Sequence, residues 1–341
     1  MQRRSRVLAA PLVVFALIAA ACSSGGSSSS SKSTASTTGK SKSSRSTTTT
    51  VAGAAAAGIT AAPASWKLPA PRAREVALTQ GNAVFVLGGL DGSKQSTSTI
   101  LRIDPATGLS ATAGALPHAV HDAAGAAIGI SLVVFGGGAA GDTQSAVVQA
   151  YTPERNSKDI GMLPEPRSDQ VAVSVGDRAY VLAGFNGKTF TPDVLATADG
   201  VNFDVVGKLA EPVRYPAAAV ADGAIYVFGG ATGGVDTRSV QRFDPATRKT
   251  TVVGQLPQPW SHASAVTIGG AIYVLGGFAN NTVTAQILRF DVKTHAVQPV
   301  GALPAPVSDA ALVTIGDTSY LIGGQASNRA TLSSVVAITG K

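Results

Sequence analysis

Two landmarks recur along this chain at one interval. A glycine doublet ends an apolar run at Gly88-Gly89, Gly136-Gly137, Gly229-Gly230, Gly276-Gly277 and Gly323-Gly324, and Ala183-Gly184 fills the remaining gap. A leucine, usually followed by proline, stands at Leu68, Leu116, Leu163, Leu209, Leu256 and Leu303. Both series step by 48, 47, 46, 47 and 47 residues. Two independent markers on one period define six repeats over residues 62–341.

Each repeat reads as four short strands. In the fifth, Ser264–Ile268 is small and β-branched, Gly269-Gly270 makes a hairpin turn, and Ala271–Leu275 ends at the doublet. Ile287–Asp291 and Ala296–Gly301 complete the set. No segment sustains a 3.6-residue period, so the region is all-β. One such unit cannot bury both of its apolar faces, whereas six stacked around an axis can.

These residues resemble the kelch repeat. The resemblance rests on the glycine doublet and an aromatic three residues before it (Phe85, Tyr180, Tyr226, Tyr273, Tyr320). It rests also on the Asp-Pro turns at Asp104-Pro105 and Asp244-Pro245, and on Leu-Pro-x-Pro at Leu68, Leu163, Leu256 and Leu303. It implies a six-bladed kelch-type β-propeller. Val133 departs from the aromatic position, and Trp66 alone lies near the place of the fourth-strand tryptophan, so the blades should pack lightly at their outer edge. The last repeat lacks a fourth strand and the first leucine has no repeat before it. Ala62–Leu68 is therefore expected to close the last blade from the N-terminal side, leaving no open seam.

Alternating strands put the strand 1–2 and 3–4 turns on one face and the longer strand 4–1 and 2–3 loops on the other. Six residues after each leucine, at the mouth of the central channel, stand Arg74, Asp122, Asp169, Tyr215, His262 and Asp309. One place earlier, His121 and Arg214 break a series of small residues. A purely structural position would repeat one small residue, so these eight are read as a ligand rim. Asp91, Asn186, Asp236, Asn280 and Asn328 would add to it from the 2–3 loops. Trp260 follows Leu-Pro-Gln-Pro on the same face and is a candidate for stacking on a sugar. His118-x-x-His121-Asp122 has metal-ligand residue types, but that spacing on a loop fixes no geometry, so no metal or other cofactor is assigned. Thr197–Phe203 resembles a degenerate Asp-box and falls where a turn belongs. Galactose oxidase, a kelch-type enzyme, needs a cysteine crosslink, and Cys22 is the chain's single cysteine, outside the repeats.

Residues 1–50 carry seven basic and no acidic residues; the other 20 basic residues of the chain balance 20 acidic ones in residues 51–341. A neutral repeat region argues against a nucleic-acid groove. Arg3, Arg4 and Arg6 precede the apolar run Val7–Ala21, which spans about 22 Å, short of the roughly 30 Å hydrocarbon core. Ala19-Ala20-Ala21 then precedes Cys22. This resembles a bacterial lipobox, with alanine in place of the usual leucine, and implies a signal peptide over 1–21 and lipidation at Cys22. Residues 22–61, rich in Ser, Thr, Ala and Gly, read as a disordered linker. The expectation is a monomeric, extracytoplasmic lipoprotein that binds a protein or glycan without catalysis. The other reading is a sugar enzyme of the sialic-acid mutarotase type, for which Arg74, Glu75, Arg214 and Asp309 would have to converge on one deep pocket.

Overall fold

The computed structural model describes residues 58–341; the signal segment, Cys22 and all but the last residues of the linker lie outside them. Six four-stranded antiparallel sheets account for most of this stretch. The fifth blade runs Ser264–Ile268, Ala271–Leu275, Gln286–Phe290 and Val297–Ala302, paired in that order. Tight turns between first and second strands follow from residues that tolerate positive φ: Asp222 and Gly223 sit at 49° and 72°. The first strands, Val76–Gln80, Ala124–Ile128, Val171–Val175, Ala217–Ala221, Ser264–Ile268 and Ala311–Ile315, touch one another in sequence, and the last touches the first. The blades therefore form a closed circle. The crowding explains why these strands are rich in alanine and valine.

The circle is sealed by Ile59–Pro63, which pairs antiparallel with Val335–Gly340 as the fourth strand of the last blade. The sequence placed this strand at Ala62–Leu68. It lies three residues earlier because Trp66 and Leu68 serve as core, both buried between the last blade and the first. The Trp66 ring sits 5.2 Å from that of Tyr320.

The glycine doublet joins one blade to the next. Its second N–H donates to the carbonyl of the residue four places after the next landmark leucine: Gly137 to Arg167, Gly230 to Trp260 and Gly324 to Arg72, each at 2.8 Å. The first glycine lies so close to the same carbonyl that a Cβ on Gly136 would stand 2.5 Å from the Arg167 oxygen. Aromatics close the seams further out. Phe85 meets Tyr151 of the following blade at 5.9 Å, Tyr180 meets Phe243 at 6.2 Å and Tyr226 meets Phe290 at 5.2 Å. The outer strands leave Met162, Val205 and Val252 exposed, in keeping with the missing tryptophans. Among the described residues, no helix is long and apolar enough to cross a membrane.

Candidate functional site

The loop entering each blade carries one of Arg74, Asp122, Asp169, Tyr215, His262 and Asp309. All six have positive φ, from 49° to 61°. That turn aims each amide at the equivalent residue of the blade before. Asp122 donates to the Arg74 carbonyl at 3.0 Å, Asp169 to Asp122, Tyr215 to Asp169 and His262 to Tyr215 at 2.9 Å, and Asp309 to His262 at 3.0 Å. Arg74 donates to Asp309 at 2.9 Å and completes the ring. Six N–H and six C=O groups at the channel mouth are thereby paired. The inference that a structural position must repeat one residue is corrected here: the backbone makes the ring, so the side chain is free to vary.

Those side chains bond mainly to each other. Arg74 Nη1 donates to Asp122 at 2.7 Å, and its Nε lies 3.4 Å from Asp309. His262 Nδ1 is 2.6 Å from Asp309, which also accepts from the Ser308 hydroxyl at 2.9 Å. Burial works against an ionised Asp309, yet the charge and hydrogen bond of His262, with Arg74 and Ser308, hold its pKa below the ordinary carboxylate value. Burial likewise lowers the Arg74 pKa, but Asp122 and Asp309 outweigh it and raise it. The Tyr215 ring stacks on His262 at 3.9 Å with Arg74 at 5.5 Å and Arg214 at 5.0 Å from its centre. Burial, with Asp122 and Asp169 beside it, raises the Tyr215 pKa. Arg214 also lies over Phe185 and Phe190, and its ion pair with Asp169 is long, 3.6 Å. The side chains of Asp309, Asp169 and Asp122 are only 3%, 5% and 8% exposed, so the rim is packed rather than projecting.

Two hollows meet at this ring. A cavity of about 130 Å³ lies on the axis, lined by all six ring residues and by Glu75. A wider one, about 420 Å³, opens above Arg74 and His262 between the 2–3 loops, where it meets Lys94, Asp236, Phe278 and Arg329. Glu75 is buried, its carboxyl group packed at the seam with the last blade beside Gly323. Burial pushes its pKa up to about 8, against hydrogen bonds from its own amide and that of Ala311 and the charge of Arg72.

Several expected site residues have other roles. Trp260 is 1% exposed, and its indole donates to the Gly276 carbonyl at 2.8 Å, so it cannot stack on a sugar. It stands where the other blades place Arg72, Val120, Arg167, Val213 and Val307, all buried wedges. His118 pairs with Asp159 at 2.9 Å while His121 reaches Ser96 at 2.9 Å, so the two histidines serve different neighbours. Among the described residues no three metal-ligating side chains converge. Asp91, Asn186 and Asn328 bind the amides of their own turns. Of the supplementary set, Asp236 lines the wide hollow. Sequence reading missed Lys94, Arg329 and Phe278, which lie in 2–3 loops of variable length where the repeat gives no register. It also missed the Phe185–Phe190 pair, whose rings lie 5.7 Å apart.

The family model described as "KLHDC2/KLHL20/DRC7 Kelch-repeats domain" matches residues 201–338. Kelch-like protein 35 of Mus musculus is 32% identical over 167 residues, 48% of this chain and 28% of that protein. Residues 201–338 are thus similar to kelch repeats, and the aligned part spans little more than a quarter of the mouse protein.

Proposed function

We propose that this kelch-repeat domain is a non-catalytic, six-bladed binding module that takes a protein partner on its 4–1 and 2–3 loop face. Kelch domains are generally protein-binding modules. Both faces have a hollow, that of the turn face being about 470 Å³ beside Asp317 and Lys341, so the choice of face is carried by the aromatic and cationic side chains at the loop-face one. On the turn side, Asp104, Asp199, Asp244 and Asp291 each accept hydrogen bonds from their own turns. On the loop side, a hollow of about 420 Å³ presents exposed Lys94 and Arg329 beside half-buried Phe278. Aromatic and arginine side chains are the groups that most often anchor a partner.

The sugar-enzyme reading finds less support. Arg74, Glu75 and Asp309 do line one cavity, but Arg214 lies outside its lining, and Asp122 and Asp309 occupy the Arg74 guanidinium. That cavity, about 130 Å³, adjoins one of about 230 Å³ among the first strands, with which it shares Glu75 and Gln170, and the carboxylates at its mouth are held by Arg74 and His262.

Capture on the immobilised full chain tests the face. Lys94→Ala, Phe278→Ala and Arg329→Ala combined should lose the partner, whereas Asp177→Ala, Asp222→Ala and Asp317→Ala combined should retain it. The reverse pattern would put binding on the turn face. The N-terminal reading, lipidation at Cys22 and an extracytoplasmic, membrane-anchored chain, belongs to the same proposal. Cys22→Ala should move the protein from the membrane fraction to the soluble one; if it stays, Val7–Ala21 is an uncleaved anchor.

A further inference from the structure

A row of ring-bearing side chains crosses the loop face over the third, fourth and fifth blades. Phe190 and Phe185 lie 5.7 Å apart, and Arg214 sits 5.4 Å from the Phe185 ring and 5.0 Å from that of Tyr215. Tyr215 stacks on His262 at 3.9 Å, and His262 meets Phe278 at 5.0 Å. All six side chains are half-buried, so the row packs against itself and stays open to solvent along its length.

Arg214 is the one cation in that row. Its guanidinium is placed by three rings, the third being Phe190 at 5.9 Å, and contacts through ring faces use none of its N–H donors. Among the described residues it makes no hydrogen bond: Nε is buried without an acceptor, and Nη1 stands 3.6 Å from Asp169. A guanidinium fixed in place with its donors free lacks only an acceptor. The carboxylates beside the row, Asp169 and Asp309, are 5% and 3% exposed, so the row presents apolar faces and donors with little anionic surface of its own.

From this pairing of rings with free donors, we infer that the row receives a proline-rich segment of the partner, in extended polyproline II form. The inference rests on the loop face being the binding face and names what binds there. Proline offers an apolar ring, a carbonyl acceptor and no N–H. A polyproline II backbone makes no internal hydrogen bonds, so its carbonyls are open to a side-chain donor. Ligand and row are therefore complementary twice: ring against ring, and acceptor against the Arg214 fork. Aromatic-lined surfaces recognise such segments because the segment is already extended and loses little entropy on docking. An acidic segment fits less well. With Asp169 ionised, its charge offsets that of Arg214, and an anionic group gains little there over a neutral carbonyl.

Isothermal titration of the full chain tests this at about pH 8, above the value of about 7 to which burial and Asp122 push Asp169. The probe is capped decaproline. It should bind saturably, with Kd on the order of 100 μM, whereas a capped Gly-Ser repeat of equal length should give no saturable heat. Phe190→Ala and Arg214→Gln, each with the wild-type Tm, should each weaken binding about tenfold. Arg214→Lys keeps the charge but loses the planar fork, and should weaken it as much. No saturable binding of decaproline by the wild type would overturn the inference, as would unchanged affinity in both variants. So would tighter binding of a capped Glu-Gly repeat, which would make Arg214 an anion site, or of maltohexaose, which would make the rings a sugar platform. Phe190 and Arg214 lie outside the capture set of Lys94, Phe278 and Arg329. A partner captured through that set while decaproline stays silent keeps the binding face and removes its proline-rich occupant.

Discussion

Three side chains converge on Asp309: an imidazole, a hydroxyl and the guanidinium of Arg74 all reach it. Removing one partner of a buried pair leaves the other uncompensated, so Asp309→Ala should cost about 3 kcal/mol in urea unfolding. A loss under about 0.5 kcal/mol, usual for a surface loop, would contradict the packing described. Because its pKa is depressed, Asp309 contributes stability that is present above the unfolded value and lost as pH falls below 3.8 through the folded one. Glu75 has the opposite sign. Its pKa is raised from 4.5 to about 8, so the native state holds the extra proton and stability falls as pH rises between those values. Glu75→Gln should flatten that fall and be the more stable protein above about pH 8, by roughly 2–4 kcal/mol. Gln170 already fills the equivalent place in the third blade, where its amide donates to the Phe135 carbonyl at 2.7 Å. Identical Tm–pH curves for wild type and variant would refute the assignment. The sequence marked these residues as special through their variation within a fixed repeat. It gave no sign that they bond to one another, because each pair joins neighbouring blades, a whole repeat or more apart in the chain.

The buried wedge between blades, four residues after each landmark leucine, shows the same limit within one element. Arginine, valine and tryptophan share the position, so no composition rule picks it out; what they share is a carbonyl bonded by the preceding blade's glycine doublet. Trp260 looked like a ligand platform because an aromatic on a loop face usually is one, yet it fills a core position where three other blades place valine. Trp260→Ala should therefore cost about 3–5 kcal/mol, and Trp260→Val measurably less, since valine suits the backbone and leaves a smaller void. Denaturant midpoints order the three proteins; a Trp260→Ala variant as stable as wild type would return the indole to the surface. The glycine doublets were legible for the complementary reason. Close approach and positive φ exclude nearly every other residue, so the requirement is written in one letter, with Ala183 at φ 62° as the single exception.

At the scale of the whole molecule, the 47-residue period made the repeat count legible, and the incomplete last repeat made legible the need for a strand from the other end of the chain. The register of that strand was not, because Ile59–Pro63 and Ala62–Leu68 are both short, small and apolar. What decides is the tertiary demand on Trp66 and Leu68, which the sequence alone does not price. Ile59 is completely buried, packed with Val266, Tyr273 and Ile338. Closure therefore makes two contributions: it covers an apolar seam, and it satisfies the outward-facing hydrogen-bonding groups of Val335–Gly340. Without it the last blade ends on a bare edge, and the ring is held at that seam by the inner strands and the Trp66–Leu68 segment. Deleting residues 59–63 should lower Tm sharply and expose an aggregation-prone edge, whereas Ile59→Ala, which keeps the backbone pairing, should cost only the cavity term, about 2–4 kcal/mol. Calorimetry with light scattering distinguishes the two. If the deletion costs no more than the point substitution, the edge hydrogen bonds add nothing to closure, and the circle is held by side-chain packing alone.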